Sequence, residues 1–125
     1  MKKTLCVAAL SILFSVSAQA SENKGEVGYQ TGELGYDALM AGDNKLAAQQ
    51  ILARADNQTS DPAKLLNLGR AYQRMGRTAD AIRLYQAAYD SRDIFDVELA
   101  DGAIMSSREA ARLALLQVST RMASR

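Results

Sequence analysis

Between residues 62 and 90 the apolar positions recur every three or four residues. Leu65, Leu68, Ala71, Tyr72 and Met75 form one set and, past Gly76, Ala81, Leu84, Tyr85 and Ala88 form another. That spacing places each set on one face of an α-helix. Local signals agree. Asp61 can cap a helix that has Pro62 at its first position, where a missing N–H costs nothing. Gly76 supplies a turn and Thr78 a cap for a helix running through Tyr89. Gly42 and Asp43 supply the same for a helix through Ala55. Ser106-x-x-Glu109 fits a capping box and predicts a last helix over about 106–122, with Ala110, Leu113, Leu116 and Val118 as its apolar face. From Ser91 to Met105 the pattern is mixed and acidic, which predicts a long connection with a short helix near Phe95 to Leu99. Abundant Ala and Leu, with few aromatics, favour helices over strands. The expected fold class is all-α.

The first twenty residues follow a different rule. Met1-Lys2-Lys3 is basic, Leu5 to Val16 is apolar apart from Ser11 and Ser15, and Ala18-Gln19-Ala20 is small at the two positions that matter for cleavage. This is the order of a secretory signal peptide, cut after Ala20. About a dozen apolar residues fall short of the roughly 20 that a bilayer span requires. No membrane span is therefore expected once the leader is removed. Residues 21–27 are polar and read as a loose N-terminus, leaving 28–125 as one domain.

The chain also repeats itself. Leu34-Gly35 returns 34 residues later as Leu68-Gly69, Gly42 as Gly76, and Ala47 as Ala81, while Ile51 is answered by Tyr85. The second copy, Pro62 to Asp90, carries Leu65, Leu68-Gly69, Tyr72, Gly76, Ala81, Tyr85 and Ala88 at spacings that resemble those of the tetratricopeptide repeat. The first copy, Gly28 to Asn57, matches less fully. Ala38 stands where Tyr72 stands, Arg54 stands where Ala88 stands, and both copies lack the family's late proline. The resemblance implies a short helical solenoid of two helix–turn–helix repeats, about 28–61 and 62–95, closed by a C-terminal capping helix. Gly35 and Gly69 then fall inside helices, at about 1 kcal/mol each against Ala. The cost is tolerable where a missing side chain lets the paired helix approach, and Ala47 and Ala81 are the small residues expected opposite.

Composition narrows the chemistry. There is no histidine, and the single cysteine, Cys6, lies in the leader without the preceding apolar stretch of a lipoprotein signal. The exported chain would have no thiol, no disulfide and no thiolate metal site. Without Lys2 and Lys3, 13 basic residues face 14 acidic ones, so a general basic field for nucleic acid is absent. Asp93, Asp96, Glu98 and Asp101 read as a solvated acidic connection, and their spacing does not fit a calcium loop. Asn57-Gln58-Thr59 has the form of a glycosylation acceptor, a common accident of sequence. No phosphate-binding glycine motif appears. Neither a cofactor, a metal site nor catalysis is expected.

Repeats of this family resemble one another in lining a groove with the first helix of each unit. By that register the groove would be lined by Tyr36, Leu39 and Met40, then by Leu66, Asn67, Arg70, Gln73 and Arg74. Arg70 and Arg74 are one turn apart and could fork onto a carboxylate of an extended peptide, with Asn67 on its backbone. The same arginines also fit a solvated face, and Tyr36 also fits burial against the N-terminal segment. Charge is segmented: residues 21–61 hold three basic and seven acidic residues, residues 62–90 five and two. Two functions follow as expectations. One is a periplasmic protein-interaction module, an adaptor or accessory factor of a cell-envelope assembly that binds a protein or peptide. The other is a self-associating structural protein whose dimer completes the helical stack.

Overall fold

The computed structural model describes residues 29–30, 32–54 and 60–125. The leader, residues 21–27 and the Asn57-Gln58-Thr59 triplet lie outside the described residues. Within them the order is α1 (Tyr36–Met40), α2 (Asn44–Ala53), α3 (Pro62–Arg74), α4 (Thr78–Asp90), β1 (Asp96–Glu98), β2 (Ile104–Ser106) and α5 (Ser107–Ala123). The protein is mostly helical, with one short two-stranded sheet. The helix α3 is central and touches α1, α2, α4 and α5, while α5 closes over α3 and α4.

The turns α1–α2 and α3–α4 match bond for bond, 34 residues apart. Gly42 N–H donates to Leu39 O and Asp43 N–H to Ala38 O; Gly76 N–H donates to Gln73 O and Arg77 N–H to Tyr72 O. Both are Schellman closures, which need a left-handed residue after the helix. Gly42 and Gly76 supply it at φ 81° and 79°. The helices start as the sequence suggests in three of four cases. Asp43 accepts from Leu46 N–H, Asp61 from Ala63 N–H, and Ser106 from Glu109 N–H. In the fourth, α4, the cap residue is Arg77, not Thr78, and no side chain bonds the free N–H groups. Schellman closure fixes the chain at Arg77, so helical geometry begins at Thr78 itself. At α5 only half of the capping box forms, because the Glu109 carboxylate takes a two-pronged bond from Arg112.

Three expectations about elements are corrected. Gly35 is not inside a helix: it is the N-cap of α1 at φ 62°, and α1 is only five residues long. Phe95 to Leu99 is not helical. Asp96–Glu98 pairs antiparallel with Ile104–Ser106, in the register Val97 opposite Met105. Gly102, at φ 84°, and the Asp101 side chain, which accepts from Ala103 N–H, build the turn between them. On α5 the buried face is Ala110, Ala111 and Val118, whereas Leu113 and Leu116 are exposed. The helix meets two others at once, α3 and α4, and close approach selects its alanines over its leucines. Met75 is likewise more exposed than its periodicity implies, because it is the residue at which α3 ends.

The core runs along α3. Ala38, Leu39, Ala47, Ala48, Ile51, Leu68 and Ala71 pack where α1 and α2 meet α3, and Ala81, Tyr85 and Val118 where α4 meets α5, with Tyr72 of α3 packed against both groups. Small residues set the spacing. A Cβ on Gly69 would lie 2.6 Å from a Tyr85 ring carbon, and one on Gly35 would lie 2.9 Å from Ala47 O. The two repeat-related glycines thus both sit at tight contacts, one with a ring and one with a backbone.

Candidate functional site

The residues that sequence register assigns to a groove divide into three groups. Leu39 is buried and belongs to the core, so its side chain is committed inward. Asn67, Gln73 and Arg74 are polar but have partners within the chain. Asn67 donates to Leu34 O at 3.0 Å, and Arg74 donates to Leu39 O at 2.9 Å. Both acceptors belong to α1 or the residue pair before it, so α3 holds the short first helix by its main chain. Gln73 accepts the hydroxyl of Tyr85 at 2.7 Å. Leu66 is half-buried and packs toward α5.

Tyr36, Met40 and Arg70 make up the third group. Tyr36 is half-buried, and Met40 is 58% exposed at the end of α1. Arg70 is exposed and lies on α3 one turn from both Asn67 and Arg74, between the two side chains that reach α1. Helical spacing gives it the same face.

A fourth contributor, Arg121, comes from α5. Burial pushes the Tyr85 hydroxyl above its ordinary value, and the charges of Arg70, Arg74 and Arg121 act against that rise. Three guanidinium groups from two helices therefore come within electrostatic reach of one hydroxyl. Arg121 follows Val118 by three residues, and Val118 packs on Tyr85. The sequence holds that clue, but reading it needs the knowledge that α5 folds back over Tyr85. Arg74 has one nitrogen committed to Leu39 O, while Arg70 and Arg121 are both exposed. Such a face can take a carboxylate or a chain of carbonyl oxygens.

Around the start of α3 a second polar cluster fastens Tyr29, Gln30 and Glu33. Glu33 pairs with Lys64 at 2.6 Å and also accepts from Gln30 N–H. The Lys64 bond holds the Glu33 carboxyl below its usual range, with smaller help from Gln30. Burial raises the Tyr29 hydroxyl, and the nearby charge and hydrogen bond of Asp61 raise it further. Asp61 thus serves both the helix cap and Tyr29. These contacts are structural ties that set where the segment before α1 lies.

No family model matches this sequence, and no curated protein or solved structure matches it either. Among the described residues no helix is long and apolar enough to cross a membrane. Nor, among them, do three or more acidic or thiol side chains gather as a metal would require.

Proposed function

We propose that this chain is an exported helical-repeat module of the tetratricopeptide type, which binds a protein partner and catalyses no reaction. Export rests on the leader-like residues 1–20, and the periplasm is the compartment such a leader serves. One observation carries the repeat reading: two helix–turn–helix units whose turn hydrogen bonds coincide at a 34-residue offset. Repeats of that kind stack to offer an extended face rather than a closed pocket. The face best suited to a partner is the one from which Arg70 and Arg121 project, with Met40 beside the end of α1. Its partner would present an acidic, extended segment.

The test is affinity capture from an envelope extract with wild type and Arg70→Glu side by side. Arg70 is chosen over Arg74 because Arg74 also holds α1. The expected result is a protein retained by wild type and lost from the variant, at equal helical content. Retention by both would remove this face from the reading.

A further inference from the structure

The hairpin β1–β2 and the arginine face are separated along the helices. Ser91 Oγ donates to Ser60 O at 3.2 Å, and Ser107 N–H donates to Phe95 O at 2.8 Å. The hairpin is thereby rooted where α3 and α5 begin. At about 1.5 Å per residue, Arg70 lies ~12 Å and Arg74 ~18 Å beyond Pro62, and Arg121 ~21 Å beyond Ser107. Residues 91–105 hold Asp93, Asp96, Glu98 and Asp101 against one basic residue, Arg92. All four acids are exposed, and among the described residues none of them is ion-paired. The chain thus carries uncompensated carboxylates at one place and exposed guanidinium groups at another, too far apart to pair within one copy.

The two surfaces match in spacing as well as in sign. On β1, Asp96 and Glu98 are exposed and Val97 between them is half-buried. Strand alternation puts the two carboxylates on one side, about 7 Å apart. Arg70 and Arg74 share one face of α3, about 6 Å apart along its axis. Both are exposed, and Arg74 has only Nη1 bonded. Ile104 pairs with Glu98 across the hairpin, which places its side chain on the side of the acids, and it is 69% exposed. Met40, also exposed, ends α1, whose Leu39 O takes the Arg74 bond. An apolar side chain therefore stands beside the charges on both surfaces.

We propose that the acidic, extended segment taken by the arginine face is β1 of a second copy of the chain. Asp96 and Glu98 of one copy meet Arg70 and Arg74 of the next, and Ile104 meets Met40. The inference rests on the reading of that face as a docking site. Each copy carries both surfaces, so the contact joins unlike patches and repeats from copy to copy. Exposed ion pairs contribute little singly, so the association is weak and falls as salt rises. An envelope partner with an acidic segment competes for the same arginines.

Sedimentation of the full chain, purified as the cell leaves it, at low salt and up to about 1 mM tests this. Wild type is expected to associate as its concentration rises. Arg70→Glu, and separately Asp96→Lys with Glu98→Lys, should weaken association at least about tenfold, because like charges then face each other. All three sites are exposed, so folding is expected to survive, and equal helical content checks it. Asp90→Lys, exposed but outside the hairpin, should leave association unchanged. Mixed in equal amounts, the Arg70→Glu chain and the hairpin double variant should pair one to one, since one keeps the acids and the other the arginines. A wild type monomeric throughout overturns the proposal, and if envelope capture still depends on Arg70 the arginine face stands without it. Association that survives Arg70→Glu, equal loss with Asp90→Lys, or no recovery in the mixture overturns it as well.

Discussion

Gly69, Gly35 and Gly76 are each required for a different reason. Gly69 has ordinary helical geometry, and only the Tyr85 ring forbids a side chain there. Gly69→Ala would gain about 1 kcal/mol of helix propensity but overpack a buried ring, which costs about 1–3 kcal/mol. A net loss of stability in urea unfolding is expected; a gain would mean that Tyr85 yields easily. Gly76 has open space around it and φ 79°, so Gly76→Ala should cost about 1–2 kcal/mol from backbone strain alone. Gly35 combines both restrictions. Titration belongs to this scale too. Tyr29 and Tyr85 have hydroxyls raised in the folded state, so their contribution is complete below the unfolded value of 10.0 and is lost as pH rises beyond it. Glu33 is lowered, so its contribution is present above 4.5 and is lost as pH falls through the folded value. Tyr85→Phe should therefore flatten the alkaline fall in melting temperature, and Glu33→Gln the acid one. Melting curves across pH check both.

Among the elements, α1 is the one that cannot stand alone. Five residues are far fewer than the roughly 12–15 that an isolated helix needs. It is held by Asn67 on Leu34 O, by Arg74 on Leu39 O and by the burial of Ala38 and Leu39. Replacing Asn67 and Arg74 together by Ala should speed amide exchange over α1 while α4 and α5 keep their protection. If α1 exchanges as before, burial alone holds it. At the start of α3, Asp61→Ala should cost about 1 kcal/mol as a lost cap, and the loss of Tyr29's partner adds to it. Thermal melting of Asp61→Ala against Tyr29→Phe separates the two. The hairpin β1–β2 shows where element reading from sequence stops. Three-residue strands are too short to display alternation, and the acidic residues that suggested a solvated loop are its exposed positions. The Asp101-Gly102 pair was the available turn signal.

For the molecule as a whole, two surfaces on different sides have different character. The arginine face of α3 and α5 is charged and open, while the hollow between α4 and α5 is lined mostly by apolar side chains and holds one paired cation, Arg112. Raising salt should weaken partner capture at the first, where charges are exposed. Capture at low and high salt tests this.

The sequence by itself determined the helices α2 to α5, their turns and most of their caps. Those depend on residues three or four apart, which every local window contains. It also pointed to Gly69 and Ala81 as packing positions, but only the tertiary structure set the Tyr85 ring against Gly69. Only the tertiary structure decided which face of α5 is buried, since that follows from meeting α3 and α4 together. It alone paired Asn67 and Arg74 with main-chain oxygens and Gln73 with the hydroxyl of Tyr85, because those partners lie on other elements. And it alone brought Arg70 and Arg121, 51 residues apart in the chain, within electrostatic reach of the same Tyr85 hydroxyl, an arrangement invisible to any spacing rule.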